Sequence, residues 1–188
     1  GDGALFNQGW WKHLPSPPVC VRKVRAWDLG ASPTGDPTEG VLMGDRGPGV
    51  TPRWVILDVV SIKDGPTGVH RLVKKTAEMD GRDTIVCLPQ DPGQAGKDQA
   101  ESFVKELAGW DVRIRRPSAA KVVRAGPLSS QVGSGNVALV HGLWVQSFVA
   151  QAHAFPLAKH DDKIDAASDA FGVLTEPTRS VTSSHYDF

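Results

Sequence analysis

Val21-Arg22-Lys23-Val24-Arg25-Ala26-Trp27-Asp28-Leu29, followed by Gly30-Ala31-Ser32-Pro33, is the stretch on which the fold turns. Apolar and basic residues alternate through it and a glycine–proline turn closes it, which is the pattern of a β-strand with a turn behind it. Asp28 then stands at a strand's end, and Trp27, one position earlier, faces the opposite side of the sheet. The ends of strands in a mixed sheet are where functional sites gather.

Working outward, residues 33–52 carry many Gly, Pro and Asp residues around the short apolar patch Gly40–Gly44, read as a second strand with a long loop after it. The β-branched run Arg53–Ile62 is a third strand, so the sheet begins as an antiparallel meander. From Gly65 the period becomes helical, with Val69, Leu72, Val73, Thr76 and Met79 on one stripe until Gly81. Lys74 and Lys75 fall on its polar side. A strand over Thr84–Leu88 is broken by Asp91-Pro92-Gly93. A helix over 95–107 follows, with Ala100, Phe103, Val104 and Leu107 as its buried stripe, then a strand at Val112–Ile114.

Residues 118–132 read as a helix interrupted at Gly126-Pro127, because proline lacks the amide hydrogen a helix interior uses. A strand at Val137–Val140, an amphipathic helix at Trp144–Ala154 and a last helix at Asp161–Leu174 complete the series. Trp54 and Trp144 are read as core. Phe6, Trp10 and Trp11 with Pro15, Pro17 and Pro18 suggest a linker or domain edge over residues 1–20. The whole is an α/β fold whose meander gives way to alternating helices and strands.

Lys plus Arg and Asp plus Glu both number 21, so no overall charge draws the chain to nucleic acid or membrane, and any DNA-binding face is local. Cys20 and Cys87 suit two reduced thiols in a cytosolic protein. No apolar run approaches the roughly 18 residues needed to span a bilayer, and the expectation is a soluble intracellular protein. No G-x-x-x-x-G-K-[ST] loop exists, the nearest fragment being Gly93-Gln94-Ala95-Gly96-Lys97-Asp98, so ATP hydrolysis is not expected. C-x-x-C and G-x-S-x-G are also missing.

What remains is a set of carboxylates at structural punctuation points: Asp28 ending the first strand, Asp91 just past the fourth, and Asp161, Asp162 and Asp165 opening the last helix. Each alone is also explained by turn formation or helix capping. Residues three apart on a helix share a face, so Asp162 and Asp165 can reach one site while Asp161 points elsewhere. Ionised carboxylates about 4 Å apart repel by roughly 4 kcal/mol per pair at an effective dielectric near 20, which a divalent cation offsets. All-oxygen ligation favours Mg²⁺ or Mn²⁺, and two such ions can serve hydrolysis of a phosphodiester. His160 can orient a water or a ligand beside the pair, or merely bond locally, and it is assigned with Asp161 to a supporting role. Lys121 and Arg124, with Arg116 before them, can contact phosphates or form an ordinary solvated basic face.

Three strings in this order, RAWDLGAS (25–32), LPQDPGQAGKDQAE (88–101) and HDDKIDAASDAF (160–171), resemble the nuclease domain of tailed-phage large terminases over about Trp11 to Leu174. The resemblance implies an RNase H-like fold related to Holliday-junction resolvases, and a two-metal cut in double-stranded concatemeric viral DNA with low sequence specificity. It implies Asp28, Asp91, Asp162 and Asp165 as metal ligands for Mg²⁺ or Mn²⁺, the last two by likeness to the resolvase branch. It further implies a junction over 1–20 to an ATPase motor, a nuclease domain over 21–174, a flexible tail over 175–188, and portal and small terminase subunit as partners. The expected setting is the cytoplasm of an infected bacterium, outside the mature virion. Alternatives are a non-catalytic docking module for portal or small subunit, and a junction-resolving nuclease. Two departures stand out: a long Gly-rich loop over 44–51, and Asp169 as an extra acid on the face of Asp165.

Overall fold

The computed structural model describes residues 4–30 and 32–177. Among these residues seven strands form one sheet: β1 (Lys12–Leu14), β2 (Arg22–Asp28), β3 (Thr38–Asp45), β4 (Trp54–Ile62), β5 (Thr84–Pro89), β6 (Val112–Arg115) and β7 (Val137–Val140). Five helices accompany it: α1 (Pro66–Asp80), α2 (Gln94–Glu106), α3 (Lys121–Gly133), α4 (Val145–Ala154) and α5 (Asp162–Thr175). The strand order is β1-β7-β4-β3-β2-β5-β6. β2, β3 and β4 pair antiparallel, as the meander predicts, while β5 and β6 add parallel to β2, and β7 and β1 parallel to β4.

Side-chain alternation in β2 sorts the molecule into two layers. Val24 and Ala26 pack with Val41, Met43, Cys87 and the buried residues of α3, α4 and α5, whereas Trp27 packs with Val69, Val73, Val86, Leu88 and Phe103 under α1 and α2. Asp28 shares the parity of Ala26 and so belongs to the α5 face, with Trp27 behind it. Arg25 lies on the other face, almost fully buried, and is held by Asp58 at 2.9 Å and by Asp80 at 2.8 Å. A buried guanidinium is tolerated because two carboxylates and the carbonyl of Gly40 occupy its donors.

α5 is the central helix. It buries ten of its fourteen residues, far more than a one-sided surface helix does, because α3, α4 and the β2–β3 strands all pack on it. The small residues Ala166, Ala167 and Ala170 are fully buried there and let the backbone approach the sheet.

Several expectations need correction. The stretch expected as a linker over 1–20 is integral to the core from residue 5 to 14: Phe6 and Trp11 are buried and stacked at 5.9 Å, and β1 adds to the sheet edge against β7. Helix α3 is not interrupted; Pro127 sits inside it. The break is worth about 3 kcal/mol, and burial of Ala125, Leu128 and Val132 in the main core offsets it. Met79 and Val104, expected in buried stripes, are exposed, since α1 and α2 each press a narrower face on the sheet. The expected tail over 175–188 lies, from residue 178 onward, outside the described residues.

Candidate active site

The carboxylates converge where β2 ends and α5 begins. Asp28, Asp91, Asp162 and Asp165 line one cavity of about 290 Å³, joined by Asp36, Asp169, Lys121 and Arg124. β2 delivers Asp28. β5 ends at Pro89 and the turn behind it brings exposed Asp91 to the rim. Asp162 and Asp165, three apart on α5, turn together toward Asp28 and are both buried.

Burial pushes the Asp28 carboxyl up to about 8, reinforced by the charges of Asp162 and Asp165 and by a hydrogen bond shared with Asp162. Asp162 is raised by burial and then by the charges of Asp36 and Asp161. Burial likewise raises Asp165 against the pull of Lys121, and Asp169 against Arg115 and Arg124. Four acids raised together describe a pocket that disfavours negative charge yet is built from groups that carry it. Asp162 Oδ2 is buried with no hydrogen-bond partner among the described residues. An orphaned carboxylate oxygen within an all-oxygen donor set fits a hard divalent cation.

The basic residues are arranged differently from expectation. Lys121 Nζ donates to Asp161 Oδ1 at 2.7 Å and lies 2.9 Å from Asp165 Oδ2. Desolvation would lower its pKa, but those two carboxylates raise it instead. Asp161 therefore does not point away; Lys121 ties it to Asp165. Arg124 approaches Asp165 at 3.9 Å and Asp169 at 3.7 Å. Arg116 is exposed and lines a separate groove with Gln90, Lys97 and Val104. His160 reaches across to Asp36, Nδ1 to Oδ1 at 3.3 Å.

Three contributors escape a reading of the sequence. Asp36 enters because the hairpin register pairs Asp28 with Glu39, so the connecting loop must return to the end of β2; the Gly35-Asp36-Pro37 turn was the available signal. Glu39, buried on β3, accepts from Lys163 Nζ at 2.7 Å and from the Ser61 hydroxyl, which ties α5 to the sheet beside the site. Arg115, at the end of β6, meets Asp169 at 3.7 Å and Glu176 at 2.7 Å.

The large terminase nuclease of thermophilic phage G20c with bound zinc superposes with a TM-score of 0.67 at 13% identity, covering 90% of this chain and 98% of its own. The human cytomegalovirus terminase nuclease domain, soaked with Mn, gives a TM-score of 0.57 at 12% identity over 82% and 83%. Fowlpox virus resolvase, in complex with Holliday junction DNA, gives 0.50 at 8% identity over 81% and 96%. At these identities the likeness is one of fold, the RNase H-like mixed sheet with flanking helices. No curated protein matches the sequence significantly. The sequence profile described as the terminase RNaseH-like domain matches residues 25–172, a span that runs from β2 through the carboxylates of α5, and the chain belongs to that family.

Proposed function

We propose that this domain is a metal-dependent endonuclease that cuts double-stranded viral DNA during genome packaging, with little sequence preference. The observation that carries the reading is the cavity between β2 and α5, where Asp28, Asp162 and Asp165 are raised together and Asp162 Oδ2 has no partner. Asp28, Asp91, Asp162 and Asp165 would hold Mg²⁺ or Mn²⁺, two ions in the fullest form. A divalent cation supplies the positive charge that lets these acids ionise together and that stabilises charge developing on a phosphodiester.

The protein's own groups have separable tasks. Asp28 holds a proton against Asp162 until the site is charged, then releases it. Lys121 and Arg124, each tied to a carboxylate at rest, are placed to exchange that contact for a backbone phosphate. Tight hold on a duplex by this domain alone is not expected, because the chain's charges balance. An ATPase domain of the same protein, the portal and the small terminase subunit are the partners this reading proposes, in the cytoplasm of an infected bacterium. Among the described residues no helix is long and apolar enough to cross a membrane.

The fold shared with a junction resolvase gives the second reading a specific basis. Offering the domain a linear duplex and a four-way junction, with Mn²⁺ or with EDTA, separates the two. Cleavage of both at comparable rates supports the packaging nuclease. Cleavage confined to the junction supports the resolvase, and no cleavage of either supports a docking module.

A further inference from the structure

β6 is an edge strand. It pairs with β5 alone, and the sheet ends there. Asp111 and Arg115 turn their carbonyls toward β5, where they accept from the amides of Val86 at 2.9 Å and Gln90 at 2.8 Å. In a parallel ladder the alternate residues, Val112 and Ile114, then aim their amide hydrogens and carbonyls away from the sheet. Among the described residues nothing takes up those groups, and the strand is partly exposed along its whole length.

A cleft lies on each side of this edge, because successive side chains point to opposite faces. On the α5 face Arg113 and Arg115 join Arg22 and Glu176 around a cleft of about 480 Å³. On the α2 face Ala100, Ile114 and exposed Val104 floor a cleft of about 320 Å³, rimmed by Lys97, Lys105 and Arg116 with Glu101. The chain as a whole is neutral, so this concentration of cations is a local one.

We propose that the β6 edge docks an extended, acidic segment of a partner protein, which adds to the sheet as a further strand. Alternate side chains of that segment are acidic, toward Arg113 and Arg115, and apolar, toward Val104 and Ile114. Strand addition draws affinity from main-chain hydrogen bonds and specificity from pockets for alternate side chains, and the edge offers both. Arg113 pairs with Asp111 and Arg115 with Glu176, each at 2.7 Å, but both pairs are open to solvent and pairs of that kind hold weakly. An incoming carboxylate can therefore take over either guanidinium.

Two other occupants fit less well. Duplex DNA presents phosphate oxygens, which accept hydrogen bonds but have no donor for the carbonyls of Val112 and Ile114, and which gain nothing from an apolar floor. A second copy of β6 brings Arg113 and Arg115 against their own kind, and like charges on an edge oppose pairing. Docking there does not depend on whether the cavity between β2 and α5 cuts DNA.

The probe is a labelled, end-capped peptide of about six residues, the length of an ordinary strand, alternating Asp with Val. It is titrated into the protein, binding being read by fluorescence anisotropy and the Val112 and Ile114 amides by nuclear magnetic resonance. Two further peptides are N-methylated at every Asp or at every Val, which keeps the charge and removes one set of main-chain donors. Val104→Glu and Arg113→Glu probe the two clefts, and circular dichroism checks that both variants fold. The expected result is binding that shifts both amides and weakens about tenfold in each variant. One methylated peptide should fail to bind and the other should bind, because only alternate amides of a strand face its neighbour.

Binding that survives both methylations, or that ignores Val104→Glu, is charge attraction alone and overturns the docking edge. So does failure of the unmethylated peptide to bind. A short DNA duplex that shifts these amides where the peptide does not makes the edge a nucleic-acid face, and shifts that follow protein concentration without peptide make it a self-association edge. Either result also overturns the proposal.

Discussion

Lys163 Nζ lies 2.7 Å from Glu39 Oε1, both side chains almost wholly removed from solvent, and Glu39 is the cross-strand partner of Asp28. The residue next to Asp162 on the helix is thereby bolted to the residue beside Asp28 on the sheet. The pair sets how α5 presents Asp162 and Asp165 to the end of β2. Breaking a buried pair by removing one partner costs about 3 to 5 kcal/mol, because the other charge is left without compensation. Lys163→Met is thus expected to lower unfolding free energy in urea by that order, and combining it with Glu39→Gln should recover much of the loss. Additive losses would show that the two charges do not act as a pair.

A pH dependence follows from Asp28. Its carboxyl keeps a proton to about pH 8 in the folded chain, whereas an unfolded aspartate releases it near pH 3.9. Between those values the folded state binds more protons than the unfolded one, so metal-free stability falls as pH rises through the window. Cation binding requires the ionised form, so stabilisation by Mg²⁺ should grow in the same direction. Melting temperatures at about pH 6 and about pH 8, with and without Mg²⁺, check the sign. Asp28→Asn should abolish most of the metal-free trend, and an equal Mg²⁺ effect at both values would contradict the linkage.

Lys121 competes with a cation for Asp165. Its ammonium sits 2.9 Å from that carboxylate while half of the side chain remains in solvent. An exposed pair of this kind contributes about 0 to 1 kcal/mol to stability, so Lys121→Met should fold normally. With the competing charge gone, metal affinity should rise severalfold, while affinity for duplex DNA falls and its salt dependence becomes shallower. Calorimetric titration with Mg²⁺ and salt-dependent DNA binding read the two effects. Weaker metal binding in Lys121→Met would place the lysine in support of the ion instead.

Much of this site was legible because short-range rules cover it. Alternation in β2 put Trp27 and Asp28 on opposite faces, and helical spacing put Asp162 and Asp165 together; the structure agrees with both. What was not legible depends on partners far along the chain. Phe6 and Trp11 looked like a tether until Phe148 and Phe155, from α4 and its end, closed around them. Pro127 looked like a helix break because the core under Leu128 is invisible locally. Arg25 is one of the basic residues alternating through the strand, and only the arrival of Asp80 from α1 and Asp58 from β4 makes its burial tolerable. Lys121 reads from the sequence as a phosphate contact or part of a solvated basic face, and its ties to Asp161 and Asp165 appear only once α3 packs on α5.

The most direct test of the central claim is cleavage of supercoiled plasmid by the purified domain with Mn²⁺ or Mg²⁺. EDTA, Asp28→Ala, Asp165→Ala and Asp111→Asn run in parallel, the last removing a carboxylate that pairs with Arg113 away from the cavity. Nicking and linearisation by the wild type and by Asp111→Asn, lost with EDTA and in both cavity variants, is the predicted result. Cutting that survives Asp28→Ala and Asp165→Ala, or that proceeds in EDTA, would contradict a metal-dependent nuclease centre between β2 and α5.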